Sequence, residues 1–250
     1  MVFLRWFAAA LFVVCIPVFL VLTNVRIATN WEAVYGYSLS EYDASQVTGI
    51  ERSQLDRAVR EIIWYFRYAE RDALLDIRVQ DGDEVRPLFN QREVLHMRDV
   101  LHLVQGVNRV HEFAFIYIVA YIAAVYLWSR ERSLRHLARQ AMMGGGLTVM
   151  VLGATALFVV VGFDTFWTQF HLISFDNDLW LLDPRRDHLI QMFPTGFWFD
   201  VTLALGMISM VQGGLIALAG VGYMWWQDRT QRRRRRRRRV VPAAAEARQA

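Results

Sequence analysis

The stretch FHLISFDNDLWLLDPRRDHLIQMFPTGFWF, residues 170–199, lies between two apolar runs that are each long enough to cross a bilayer. It is therefore a loop between membrane spans, and that reading sets the fold class. The loop is too rich in chemistry to be a plain connector. His171 follows an apolar run, Ser174, Asp176 and Asp178 come next, the chain turns at Asp183-Pro184, and Asp187 and His188 precede Pro194. Phe170, Phe175, Trp180, Phe193, Phe197, Trp198 and Phe199 are interleaved with these acids and histidines. Such a mixture suits a site at a bilayer surface, where one end of a substrate is greasy and the other wet.

Working outward, the composition agrees. Of 250 residues 55% are hydrophobic and 14% aromatic, and the apolar residues fall in blocks, which marks a membrane protein. All 28 basic residues are arginine, a bias without functional content. The single cysteine, Cys15, lies inside the first apolar run, so a disulfide framework and a cysteine metal cluster are both excluded. It is also badly placed for a lipidated cysteine, since more apolar span follows it.

The expected architecture is an all-α membrane protein with four transmembrane helices and a mainly helical extracytoplasmic domain. Residues 1–23 form the first span, carrying Pro17. No clear small-x-small cleavage site follows, so the segment reads as an uncleaved anchor and not a signal peptide. Residues 24–110 form the extracytoplasmic domain. Within it Thr48 and Glu51 have capping-box spacing ahead of an amphipathic helix over about 49–68, carried by Leu55, Val59, Ile62, Ile63 and Phe66. Asp81-Gly82-Asp83 sits at the tip of a short hairpin, and a second capping box, Asn90 to Glu93, opens a helix over about 91–107. The two helices are expected to pack together as a wall for the site.

The second span follows at 111–128, a basic cytoplasmic loop at 129–142, the third span at 143–163, an extracytoplasmic active-site loop at 164–196 and the fourth span at 197–226. An Arg-rich cytoplasmic tail, 227–250, ends in an Ala-rich stretch read as unstructured. Segment 24–110 has 14 acids against 11 arginines and the 164–196 loop five against two, whereas the 129–142 loop and the tail are strongly basic. The positive-inside rule then places both termini in the cytoplasm and the two chemically rich segments together on the outer face. The eight arginines Arg232 to Arg239 follow a span directly, so they read as an orientation signal and an anchor to anionic headgroups, with no nucleic acid partner.

His96 and Asp99 are three apart on a helix and share a face, the arrangement by which a carboxylate fixes an imidazole tautomer for general-base work. On that motif alone an ordinary helix-surface pair is the better reading. His102 lies roughly 120° round the helix from His96 and reads as structural. His171 stands at interfacial depth, where a histidine is often a simple anchor, and gains interest only from His96 on the same membrane face. His111 and His188 are weaker candidates, and His136 belongs to the basic cytoplasmic loop. No nucleophile elbow, Gly-rich phosphate loop or HExxH is present, and nothing marks Ser174 as activated. Catalysis, if it occurs, falls to histidines, with the attacking atom supplied by the substrate.

The run Leu88-Phe-Asn-Gln-Arg-Glu-Val-Leu-His96-Met-Arg-Asp99-Val, taken with Phe175-Asp-Asn-Asp-Leu-Trp180, Asp183-Pro184, Leu189-Ile190 and Phe193-Pro194, resembles the lipoprotein intramolecular transacylases of bacterial membranes. The likeness covers about residues 1–227 and omits the Arg-rich tail. It implies an integral membrane enzyme of four spans whose two essential histidines match His96 and His171. The implied reaction moves the sn-2 acyl chain of a diacylglyceryl-cysteine lipoprotein to the cysteine's own α-amino group, giving the lyso form. The implied cofactor set is empty and no metal is implied. The residues expected to support or orient are Asp99, Ser174 and Asp176; those expected to hold substrate and lipid are Phe175, Trp180, Phe193 and Trp198. The partners are the lipoprotein substrate and membrane lipids. Two other readings stand beside it: a metal-dependent membrane hydrolase with His96, Asp99 and His171 as ligands, and a non-catalytic membrane scaffold.

Overall fold

A computed structural model describes residues 2–128 and 132–246. Part of the basic loop, residues 129–131, and the last four residues of the tail lie outside the described residues. So do the side chains of Arg232 to Arg239, on which the anchoring role was read. The protein is an all-α membrane protein: helices α1 (Val2–Ala28), α5 (Gln91–Trp128), α6 (Arg132–Val161) and α9 (Thr195–Glu246) are its long elements, and all four are long and apolar enough to cross a membrane. The helices overrun the apolar segments seen in the sequence. The polar first turns of α5 carry Arg92, Glu93, Arg98 and Asp99, and only the part after Glu112 is uncharged, so polar turns and apolar span belong to one continuous helix. The Ala-rich end, expected to be unstructured, is helical to Glu246, in keeping with the high helix propensity of Ala and Arg.

Two compact units divide the chain. One holds Met1–Val18, Ala114–Met150 and Met210–Ala250. Here the three glycines at 144–146, read as the start of a span, lie within the continuous α6. A Cβ on Gly145 would meet the backbone of Gly213 and Ala217 at 2.3 and 2.8 Å, and one on Gly220 would meet the Ala138 carbonyl at 2.6 Å. Glycine at these points lets α6 and α9 touch backbone to backbone, which is how apolar helices gain packing in lipid. Phe12 stacks on Tyr121 (4.6 Å between centroids), Tyr117 donates to the Ala8 carbonyl (2.8 Å), and Arg135 pairs with Asp228 at 2.7 Å.

The other unit holds Phe19–Phe113 and Val151–Ser209, and contains every residue of the candidate site. Its smaller helices are α2 (Glu32–Glu41), α3 (Ala44–Thr48), α4 (Arg52–Tyr68), α7 (Phe163–Ser174) and α8 (His188–Met192). Among the described residues the one sheet is the antiparallel hairpin β1 (Arg78–Asp81) and β2 (Glu84–Pro87), turned at Gly82 with φ 61°. Helix α4 buries Leu55, Ala58, Val59, Ile62, Ile63 and Tyr65 in one core with Leu39, Ile77, Leu88, Met97, Leu101, Met192 and Phe197. The amphipathic helix and the first turns of α5 thus share a core, as their apolar stripes require.

The first capping box does not form. Thr48 is the last residue of α3, which Gly49 ends in the left-handed region (φ 70°), and its hydroxyl turns back to the Ala44 carbonyl at 2.6 Å. Helix α4 starts three residues beyond Gly49 without a side-chain cap. The second box forms in both directions: Asn90 N–H donates to Glu93 Oε2 (2.8 Å) and Glu93 N–H to Asn90 Oδ1 (3.1 Å).

Candidate functional site

The cap at Asn90 and Glu93 does more than start α5. Glu93 is 1% exposed, and its second oxygen accepts the backbone N–H of Leu189 at 2.7 Å. Asn90 Nδ2 donates to Asp187 Oδ1 (2.8 Å), and Asp187, equally buried, accepts the Asp183 N–H on its other oxygen (2.6 Å). The His188 ring donates from Nδ1 to the Leu88 carbonyl at 2.7 Å. Farther along the loop Asn177 Nδ2 donates to Asp99 Oδ2 (2.8 Å), and the Arg92 guanidinium donates to the Asp178 carbonyl. The 175–189 loop is therefore bolted to the first three turns of α5, by buried Glu93 and Asp187 at its far end and by exposed hydrogen bonds involving Asn177 and Asp178 at its near end.

That clasp brings two histidines together. His96, one turn into α5, and His171, in the last turn of α7, have ring centroids 6.2 Å apart, and both are buried. Phe175 meets His96 edge-on at 5.2 Å and His171 at 5.7 Å. Trp180 stacks on His171 at 4.8 Å with an interplanar angle of 27°, while Trp167 meets it edge-on at 4.6 Å. The His171 Nδ1–H donates to the Trp167 carbonyl one turn back (2.8 Å). A carbonyl only accepts, so in the neutral ring Nδ1 holds the proton and Nε2 the lone pair.

Burial biases both rings toward the neutral form. Burial pushes the His96 imidazole down from 6.5 to about 4, the facing His171 adds to the shift, and Asp99 works against it. Burial also lowers His171, partly offset by the hydrogen bond to Trp167. His96 Nδ1 is buried without a hydrogen-bond partner, and so is the indole Nε1 of Trp180. Unpaired polar atoms deep in an aromatic pocket are costly, and they are the positions a substrate's polar atoms can satisfy.

Of the residues singled out in the sequence, His96, His171, Phe175 and Trp180 meet in one place. Asp99 acts on His96 through its charge alone, because its carboxylate is engaged by Asn177. Asp176 is exposed, and Ser174, ending α7, makes no recorded hydrogen bond to either histidine. Phe193 is a core residue, not a lipid contact: it is buried and meets Tyr35 edge-on at 5.7 Å. Trp198 stacks on Trp167 at 5.2 Å and donates to the Phe193 carbonyl at 3.0 Å, bracing the pocket from behind. His102 donates to the Arg71 carbonyl (2.5 Å) beside Asp72, the structural role its position suggested. Among the described residues no three His, Cys, Asp or Glu side chains assemble as a metal-binding group, which leaves the hydrolase reading without a ligand set.

The sequence reading missed Asn90, Asp187, Asn177 and Trp167 as parts of the site. Only the capping spacing at Asn90 and Glu93 hinted at the first; the partners of the others lie 78 to 97 residues away or on the main chain.

Residues 10–198 match the family model described as lipoprotein intramolecular transacylase Lit. An uncharacterized protein of Aquifex aeolicus (strain VF5) is 28% identical over 135 residues, 53% of this chain and 56% of its own, so the chain spans just over half the length of that relative. Among solved structures, the in meso structure of the membrane integral lipoprotein intramolecular transacylase Lit from Bacillus cereus superposes with a TM-score of 0.75 over 92% of this chain and 100% of that one, at 16% identity. A variant of that protein with one histidine replaced by arginine gives 0.71, over 91% of this chain and 95% of that one, also at 16% identity. These structures establish the fold. The family model covers most of the chain, and the chain belongs to the lipoprotein intramolecular transacylase family.

Proposed function

We propose that this member of the family moves the sn-2 acyl chain of a diacylglyceryl-cysteine lipoprotein onto the α-amino group of the same cysteine, with His96 and His171 as its acid-base pair. The observation that carries this is the pair itself: two buried imidazoles 6.2 Å apart, one with its tautomer set by a backbone hydrogen bond, in an aromatic pocket. Aminolysis of an ester needs no enzyme nucleophile when amine and ester belong to one molecule, and positioning supplies much of the acceleration.

The proton traffic follows from the neutral resting state. The amine nitrogen bonds to the ester carbonyl carbon, and the carbonyl oxygen becomes an oxyanion to which Trp180 Nε1–H donates. His171 Nε2 takes the proton that the nitrogen sheds. His96 accepts that proton on one ring nitrogen and releases one from the other to the sn-2 oxygen as its bond to carbon breaks. The N–H proton has become the new O–H proton, both rings end neutral, and His96 is left in its other tautomer, which a proton exchange must reset before the next turnover. Neither imidazole has to start charged, which suits a cavity that penalises charge.

The substrate is anchored in the membrane, and the excess of acids in segments 24–110 and 164–196 supports a site on the extracytoplasmic face with both termini inside. Mass spectrometry of the N-terminal lipopeptide of a diacylated lipoprotein, with and without the purified protein, tests the reaction. We expect a product of unchanged mass in which one acyl group is on nitrogen and the glycerol has lost its sn-2 ester. Loss of an acyl group to water, or an unchanged peptide, overturns the proposal.

A further inference from the structure

A cavity of about 480 Å³ lies apart from the histidine pair, lined by Thr23, Arg26, Asn30, Arg67, Asn108 and His111. It sits where two spans change character: α1 turns polar at its last turns, and the uncharged part of α5 begins just after Glu112. Exposed apolar side chains mark that level, Ile27 at 54% and Val110 at 50%. Exposed amphipathic rings flank it: Trp31 follows Asn30, and Trp64 and Tyr68 bracket Arg67 on α4. Rings of this kind gather at headgroup depth.

The polar lining is pre-arranged. Arg26 donates from one terminal nitrogen to His111 Nδ1 (3.4 Å) and to Glu112 (3.3 Å). His111 Nε2 meets the Thr23 oxygen at 2.9 Å, whose hydroxyl donates on to the Phe19 carbonyl (2.6 Å). Arg67 spends its Nε–H on the neutral Asn30 Oδ1 at 2.9 Å, and among the described residues it has no ion-pair partner. Two guanidinium groups thus border the cavity, and the one carboxylate paired with either of them, Glu112, is exposed and outside the lining, which leaves an excess of positive charge. Guanidinium forks match the oxygens of a phosphate.

We infer that this cavity is a binding site for the phosphodiester headgroup of a membrane phospholipid, held between Arg26 and Arg67. The substrate of the proposed reaction carries no phosphate, so the bound lipid is a separate ligand, and the inference stands or falls independently of the acyl-transfer reading. The lipid would fasten the junction of α1, α4 and α5 to the headgroup layer.

Native mass spectrometry of the full chain in detergent, with phosphatidylglycerol, dioleoylglycerol or inorganic phosphate added, reads it out. Wild type and an Arg26→Gln/Arg67→Gln variant keep the same tail, so the difference between them reports this cavity. We expect wild type to retain phosphatidylglycerol about tenfold or more better than the variant, to ignore dioleoylglycerol, and to keep its lipid in millimolar phosphate. An Arg26→Lys/Arg67→Lys variant, which preserves both charges at the same two positions, should retain more lipid than the double Gln variant and shows that loss in the latter is not misfolding. Equal retention by wild type and the double variant, or equal retention of dioleoylglycerol, overturns the site. Displacement of the lipid by inorganic phosphate overturns the lipid as its ligand.

Discussion

His171 gives its Nδ1 proton to the carbonyl of Trp167, 2.8 Å away and one turn earlier on α7. The bond is local, so every molecule that forms the last turn of α7 presents the same tautomer, with the Nε2 lone pair outward from the helix backbone. Secondary structure alone thus sets the tautomer that the proposed base role requires.

Histidine-selective nitrogen NMR in detergent tests this directly. We expect the His171 Nδ1 signal in the protonated range, His96 neutral at pH 6, and the His171 titration displaced below the ordinary imidazole value of 6.5. The folded values lie below the unfolded ones, so the unfolded chain binds more protons and the contribution to stability is full above pH 6.5. It should fall away as pH drops toward 4, and thermal melts between pH 7 and 4 will show whether it does.

Substituting either member of the pair removes a proton carrier. His96→Ala and His171→Ala should each lower the transfer rate about 10²–10⁴-fold. His102→Ala and His136→Ala should retain near-normal rates, because the first ring is tied to Arg71 and Asp72 and the second is exposed. Single-turnover conversion of a synthetic diacylated lipopeptide separates the two groups.

Trp180→Phe keeps a ring against His171 and deletes the unpaired N–H. The loss should appear in kcat, about 10²–10³-fold, with KM little changed, since the donor meets its acceptor only when the oxyanion forms. An equal rise in KM would mean that Trp180 acts by ground-state packing.

Glu93→Ala strands the N–H groups of Asn90 and Leu189, both only partly open to solvent. Each such group costs about 1–3 kcal/mol. The melting temperature should drop, and hydrogen exchange at residues 187–192 should rise above that of α4.

Topology is checked with reporters at Asp81 and Ser133, which should report opposite sides of the membrane. Both on one side would remove the extracytoplasmic placement of the site.

The four spans, the amphipathic α4, the hairpin at Gly82 and the two histidines are all legible in the sequence, because each announces itself through periodicity, run length or residue type within a short window. The rest is long-range. Nothing near Asp99 says that Asn177 will occupy its carboxylate, so a local His96 and Asp99 pair was the natural expectation. Phe193 and Phe175 are both loop phenylalanines beside acids and histidines, and only tertiary packing sends one to the core and the other between the imidazoles. Thr48 has the spacing of a cap, but Gly49 in the left-handed region takes the backbone out of register with it. Gly144 to Gly146 read as a helix start because glycine alone does not announce a neighbouring backbone.

The two oxygens of Glu93 face partners made at very different times. Oε2 is satisfied by Asn90, three residues away, while Oε1 waits for Leu189, which emerges from the ribosome 96 residues later. Until then the first turn of α5 carries a carboxylate that is half paired and has no reason to leave water. The pocket is therefore sealed late in synthesis, after the third span has been threaded, and a chain truncated before residue 189 keeps both histidines yet has no catalytic chamber to put them in.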